Sequence, residues 1–496
     1  MFMNKIIDSF WNYLNGLPYL RSLFELQDRF SVEIFIVGGI IRDFLLNRVE
    51  HKNTVEIDFA VSGETKDIAK LFAYQIKGFF FVLDEENHTY RVILEKEKLY
   101  QFDFSSLRGS RIEEDLYLRD FTINSLAIDL KGIRDKRFFR VIDPYGGFKD
   151  IENKTIRIVS DLSLKDDPLR IIRAFTFFQE LEFRIDSFTE NSIKENIYFL
   201  KNVAGERITE QFVRIFESPF SYKAVDYMDR LGVFEAIFPI VKEMKGVEQG
   251  PYHHLDVWKH SLETLKELEI FLKQLYTHDS LGEKIKNYLE EKITGTRKRL
   301  FVVKLGALFH DLGKPRAKEI TPEGKIRFIG HEKIGANLVI QIVERLKLSS
   351  REKNILTKLV QLHLRPGYLV DTKDISPRAK LRFFRAGEEE SVSIILISLA
   401  DKFATRGPLT TVNDRNEFKE YLLHLLKVYF YEKDLVKPPR LLDGNEVMKI
   451  LNIPPGPIVG KILKALEEAQ VEKKVINKSE AEEFIKEIFE EMREDE

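Results

Sequence analysis

In roughly the first third of the chain, apolar residues come in short runs that alternate with polar ones. The runs predict strands near 33–38, 54–61, 79–83, 90–94 and 99–104, with helices near 40–47 and 66–77 between them. Residues 1–30 read as one or two helices. A further short strand at 154–159 precedes a change to helical periodicity that continues almost unbroken to the C-terminus. Gly250-Pro251 and Pro438-Pro439 break that periodicity and mark joints. No internal repeat is visible, and the acidic end EAEEFIKEIFEEMREDE reads as a solvated helix face.

The alternation carries chemistry at 35–60, FIVGGIIRDFLLNRVEHKNTVEIDFA. An apolar strand breaks at Gly38-Gly39 into a short helix bearing Arg42, and a second strand presents Glu56 and Asp58. Glycine lets a backbone approach a phosphate chain closely, and Arg42 one turn on can add a forked cation. Residues two apart on a strand share a face, so Glu56 and Asp58 lie together while Val55, Ile57 and Phe59 face the core. Two such carboxylates can bind Mg²⁺ beside a triphosphate. A tight turn followed by an ordinary half-buried strand describes the same residues.

Downstream, DLYLRDFTINSLA at 115–127, DPYGGFKD at 143–150 and DDPLRIIRA at 166–174 follow in order. Taken with the Gly-Gly and Glu-x-Asp elements, they resemble the class II tRNA nucleotidyltransferases and bacterial poly(A) polymerases, members of the DNA polymerase beta superfamily. The resemblance implies an α+β protein: a polymerase-beta-like nucleotidyltransferase head with a small mixed sheet at 1–150, then an all-α neck and body at 151–249. An HD domain at 250–410 and a helical RNA-binding tail at 411–496 complete it.

The same resemblance implies roles for single residues. Asp103, in LYQFDF, would be a third carboxylate that ligates a second ion or takes the proton of the attacking 3′-hydroxyl; a plain surface aspartate is the alternative. Arg119, Asp120 and Asn124 would lie near sugar and base. Asp167 and Arg170 would read the incoming base, accepting from the exocyclic amine of ATP or CTP and donating to the neighbouring ring nitrogen, with Arg173 beside them. Helix capping by Asp167, with Pro168 at the first helical position, accounts for the same dipeptide. GERITEQFVRIFES at 205–218 resembles the neck motif, with Glu206, Arg207 and Glu210 bracing the template helix; an amphipathic helix with i,i+4 charge pairs is the simpler description. Near the C-terminus a Pro-Gly-Pro turn enters a helix and offers Lys461 to an RNA phosphate. The chain also departs from the family pattern, with Glu56 where Asp is usual and with Leu118 and Thr176 where arginines are usual.

His260, His310-Asp311, His331, His363 and Asp401 form a second constellation that resembles an HD-domain phosphohydrolase. His260, His310, Asp311 and Asp401 would hold a transition metal, and His331 and His363 a second ion. Packed core histidines are the plainer reading. His253 and His254 are unassigned and can line the cleft.

Composition narrows the classes. With 496 residues, 44% hydrophobic content and 39 Phe, the chain can fill several cores. A net charge of −2 from 78 basic and 80 acidic residues confines any RNA surface to a local patch. The absence of cysteine removes disulfides, zinc fingers and thiol catalysis. No run approaches the roughly 18 apolar residues of a membrane span, and the start reads as an amphipathic helix and not as a secretory signal, so a cytoplasmic protein is expected.

The function these features predict is template-independent addition of nucleotides from ATP or CTP to the tRNA acceptor end, the terminal A or the whole CCA. A poly(A) polymerase on other RNAs is the nearest alternative. FFFVLDEENHTYRVIL at 79–94 stands where that subgroup usually carries a Gly-Arg-Arg-Phe-like segment, which favours the tRNA enzyme. An HD phosphohydrolase with a nucleotide-binding head is the alternative from another class.

Overall fold

The computed structural model describes the chain apart from Met1, Pro18, residues 50–53, Glu97, His278, residues 372–375 and residues 495–496. It divides into two compact units, Met1–Val203 and Ala204–Glu496.

The first unit is built on a seven-stranded mixed sheet of order β3-β4-β5-β2-β1-β6-β7. The strands are β1 (Ile34–Val37), β2 (Thr54–Val61), β3 (Phe79–Asp84), β4 (Thr89–Glu95), β5 (Leu99–Ser106), β6 (Ala127–Asp129) and β7 (Val141–Ile142). β2 and β5 run parallel, and every other pairing is antiparallel. A parallel pair needs a crossover. Helix Thr65–Ile76 and the β3–β4 hairpin supply it. β1 to β5 fall within one or two residues of the strands the alternation predicts, whereas β6 and β7 are too short for any alternation to show. The strand expected at 154–159 is reduced to Thr155–Ile156, paired in parallel with Arg184–Ile185.

One face of the sheet buries Val55, Ile57, Phe59, Phe102 and Phe104, as their alternation requires. The Phe72 ring, from helix Thr65–Ile76, meets Phe102 and Phe104 edge-on with centroids 5.1 and 5.4 Å away. Each buried ring contributes about 1.5–3 kcal/mol of transfer free energy. On the opposite face Phe35, Val37, Ala60 and Ala127 pack under Ile112 and Leu116 of the short helix Ile112–Tyr117. That helix covers only part of the face. Glu56 remains exposed and Asp58 half-buried.

The second unit is helical, with two small hairpins, Lys292–Thr294 with Arg297–Lys298 and Glu319–Ile320 with Ile326–Arg327, which the helical periodicity hides. Helices Val257–Tyr276, Arg299–Phe309 and Ser391–Ala404 form its centre, the last buried along nearly its whole length. The C-terminal helices have their own core around Val447, Ile462, Leu466 and Ile485. Glu468 ties them to helix Pro377–Gly387 through Arg378 and Arg382. Among the described residues no helix is long and apolar enough to cross a membrane.

Candidate active sites

Register assembles the first site. Arg91 on β4 stands opposite Asp103 on β5, Asp103 beside Asp58 on β2, and Asp58 opposite Val37 on β1, the residue before the glycine turn. Glu56 lies two residues along β2 on the same face as Asp58. Burial, then the charge of Asp103 and that of Glu56, push the Asp58 carboxyl up to about 6, against the opposing fields of Arg119 and Arg91. Hard oxygen donors crowded to the point of mutual repulsion are a donor set suited to a divalent cation.

Gly38 closes the row. Its φ of 79° lies in the region that favours glycine, and a Cβ there would come 3.1 Å from Asp58 Oδ2 and 3.3 Å from Arg119 Nη1. Backbone, carboxylate and guanidinium thus converge on one spot. Arg119 is held there by a residue outside the sequence-derived set: Nε and Nη2 donate to Asp115 Oδ2 at 3.0 and 2.9 Å. Asp115 is buried and also accepts from the Arg108 Nε at 2.9 Å. Its position one helical turn before Arg119 was the available signal.

Beneath the turn runs a continuous polar chain. Arg173 Nε and Nη2 donate to Asp120 Oδ2 at 2.9 and 2.6 Å, Asn124 Nδ2 donates to Asp120 Oδ1 at 3.0 Å, and Arg42 Nη1 donates to Asn124 Oδ1 at 2.6 Å. Burial alone would raise the Asp120 carboxyl, but Arg173 and these hydrogen bonds overcome it and hold it at about 2. Arg42 corrects the sequence reading. It is not an open phosphate hook here: it is buried, its Nε donates to Asp43 at 2.9 Å, and its guanidinium lies 5.1 Å from the Phe177 ring centroid. A cation in the first turn of a short helix can turn inward as readily as outward, and the neighbouring Asp43 together with Asn124, itself bound to Asp120, holds Arg42 inward.

Asp167 is extended, Pro168 is already helical, and Asp167 Oδ1 accepts from the Leu169 N–H at 3.2 Å, which is the expected cap. Arg170 is less free than a base-reading side chain would be. Nη2 donates to the Leu118 carbonyl at 2.8 Å and Nη1 to Ser163 Oγ at 3.0 Å. Leu118 is 39% exposed, and Thr176 is buried with its hydroxyl on the Ile172 carbonyl, so neither replaces a cation. Segment 205–218 forms helix Gly205–Phe216 at the start of the second unit, and Lys461 is exposed near the start of helix Pro457–Val471.

The second site lies inside the second unit. His260 Nε2 is 2.8 Å from Asp401 Oδ1, His310 Nε2 is 3.1 Å from Asp311 Oδ2, and His260 Nε2 is 3.7 Å from that same oxygen. Asp311 Oδ1 faces the other way, 3.3 Å from His331 Nε2 and 3.7 Å from His363 Nε2. His310, His331 and His363 each donate Nδ1–H to the carbonyl three residues earlier, at 2.7–2.8 Å, which leaves each Nε2 lone pair aimed at the centre. Burial and the neighbouring His310 push His363 down to about 3, so it is a neutral donor. His310 Nε2 and both Asp311 oxygens are buried without a well-formed hydrogen bond, although Lys314 Nζ lies 2.6 Å from Oδ2. Orphaned donor atoms converging in this way fit a metal centre better than a packed core. The His253 ring stands edge-on to His260 at 4.8 Å between centroids, while His254 is exposed.

The chain is similar to known proteins over most of its length. Profiles for the poly A polymerase head domain and the HD domain match residues 34–157 and 257–406, and a tRNA nucleotidyltransferase domain profile matches 410–485. The A-adding tRNA nucleotidyltransferase of Deinococcus radiodurans is 31% identical over 462 residues, 92% of this chain and 95% of that one. The CC-adding enzyme of Thermus thermophilus is 29% identical over 465 residues, covering 91% and 93%. In fold, the chain is similar to the Thermotoga maritima CCA-adding enzyme complexed with tRNA, with a TM-score of 0.63, 21% identity and 98% of each chain covered. On the head-domain profile and a match of nearly full length at 31% identity, the chain belongs to the tRNA nucleotidyltransferase and poly(A) polymerase family.

Proposed function

We propose that this protein extends the 3′ end of tRNA, joining nucleotides from ATP or CTP to the terminal hydroxyl without a nucleic-acid template. The observation that carries the reading is the row Asp103, Asp58, Gly38 with Glu56 alongside and Arg119 Nη1 at its end. Glu56 and Asp58 would hold Mg²⁺, which neutralises charge on the triphosphate and on the phosphoryl group in transfer. Arg119, fixed by Asp115, donates to phosphate or sugar oxygens beside the Gly38 backbone, and Asp103 is the third carboxylate, placed to take the acceptor hydroxyl's proton or to join the metal-holding pair. Asp120, Asn124, Arg42 and Arg173 form the polar floor of the nucleotide pocket. Asp167 and Arg170 select the base; Arg170→Ala and Asp167→Ala variants should incorporate UTP and GTP more readily relative to ATP, and unchanged ATP preference would leave capping as the account of Asp167.

The second centre fits a metal-dependent phosphohydrolase. His260, His310, Asp311 and Asp401 would hold a transition metal, and His331 and His363 would hold a second ion. A 2′,3′-cyclic or terminal phosphate at an RNA end is the substrate class that complements nucleotide addition. The functional division we propose is head 1–150, neck and body 151–249, HD domain 250–410 and RNA-binding tail 411–496 with Lys461 on a phosphate. The setting is the cytoplasm, where tRNA ends are matured.

The test offers tRNA transcripts ending before CCA, after C and after CC, with ATP and CTP supplied separately. Extension by ATP of the CC-ending transcript, with no extension by CTP, identifies terminal-A addition; extension of the shorter transcripts by CTP together with extension of the CC-ending one by ATP identifies whole-CCA addition. CTP-only extension would match the activity named for the Thermus relative. Failure to extend any tRNA while other RNAs grow poly(A) tails would overturn the tRNA assignment.

A further inference from the structure

Arg91 lies outside every motif that announces the polymerase site, yet it occupies the end of the catalytic row. Its Nε and Nη2 donate to Asp103 Oδ1 and Oδ2, both at 2.7 Å, a fork-to-fork pair across neighbouring strands. Both carboxylate oxygens therefore already accept a charge-assisted hydrogen bond from Arg91. The pair is open to solvent, with side chains 31% and 24% exposed, so it can exchange. The fields of Glu56 and Asp58 also reach Arg91. With Arg91 and Arg119 set against Glu56, Asp58 and Asp103, the row is close to charge balance before any ion binds.

We propose that Arg91 is a displaceable counter-ion for Asp103: it competes with a divalent cation for the two carboxylate oxygens and sets the concentration at which Asp103 joins the metal site. The inference rests on the assignment of Glu56 and Asp58 as metal ligands. When a cation takes Asp103, the freed guanidinium stays on the same sheet face as the ligands, within reach of the triphosphate they position. A lysine could not do this equally well, because one ammonium cannot cover two oxygens in the geometry of a guanidinium fork.

The experiment is a Mn²⁺ titration of the full chain, followed by electron paramagnetic resonance without nucleotide or RNA. Asp311→Ala serves as the background so that the second unit's centre does not contribute. Arg91→Gln should tighten binding of the weaker of two ions by roughly five- to tenfold, the competition expected of a half-exposed forked pair. Arg91→Lys should fall between the two, and Arg91→Gln with Asp103→Asn should lose the gain. Equal Mn²⁺ affinity in wild type and Arg91→Gln would overturn the proposal, as would a gain that survives removal of the Asp103 charge. Asp58→Asn, measured alongside, separates the two readings: if it leaves the tighter ion untouched, the ligand assignment itself fails, whatever Arg91 does. A purely structural arginine would move the melting temperature of Arg91→Gln and leave the Mn²⁺ curve where it was.

Discussion

As proposed metal centres, the two groups of donor side chains are built in opposite ways. In the first unit the carboxylates stand on a sheet face, Glu56 exposed and Asp58 half-buried, and burial, followed by repulsion from Asp103 and Glu56, lifts Asp58 to about 6. In the second unit the donors are buried, and the cost is met by fixing tautomers through backbone carbonyls and by the ring nitrogens of His310 and His260 and the Lys314 ammonium, which hold the Asp311 and Asp401 carboxyls well below their usual range against burial. Strand alternation builds the first from residues close in sequence. The second draws on five helices and their ends, from His260 to Asp401. On the proposed reading, the open face would admit a long acceptor RNA, and the buried His-rich centre would take a small phosphate ester.

The strongest way to break the comparison is Asp58→Asn. It should lower nucleotide addition by about 10²–10³-fold or more while tRNA binding in a filter assay stays near wild type, because the lost charge acts on the transferring group and not on the acceptor stem. Near-normal incorporation would remove Asp58 from the metal site. Next in size, Asp311→Ala should reduce metal bound at the second centre by at least about 10–100-fold, read by elemental analysis, with tRNA extension unchanged. Equal metal content would make the histidines structural.

Asp120→Asn tests the buried network under the first site. Breaking a buried ion pair costs roughly 3–5 kcal/mol; with the Arg173 side chain one-third exposed, about 2 kcal/mol is expected, seen as a lower melting temperature of the first unit. Because the folded-state Asp120 value of about 2 lies below the unfolded one near 4, its stabilisation is complete above about pH 4 and is lost as pH falls through 2. Asp120→Asn should flatten the acid-unfolding curve in that window. The smallest effect is on the acid limb of nucleotide addition. A ligand raised to about 6 should make activity fall as pH drops through 6, and Asp103→Asn, by removing the neighbouring charge, should move that limb to lower pH in whatever activity remains. An unmoved limb would mean that Asp103 does not act on Asp58.

Local pattern determined a great deal by itself. A period of two placed β1 to β5 within a residue or two, put Phe102 and Phe104 inside and left Glu56 and Asp58 on one accessible face, because alternation along a strand is a property of the backbone alone. The order of His260, His310, Asp311, His331, His363 and Asp401 announced the second centre. Tertiary structure decided what each side chain does once several partners are within reach. It turned Arg42 inward to Asp43 and Asn124, bound Arg170 to backbone carbonyls, set Asp115 behind Arg119 and laid Arg91 across Asp103. The pairings of Arg42 with Asn124, Arg170 with the Leu118 carbonyl and Arg91 with Asp103 depend on registers and contacts between residues well separated along the chain, which no local periodicity encodes, whereas Asp115 stands only four residues before Arg119.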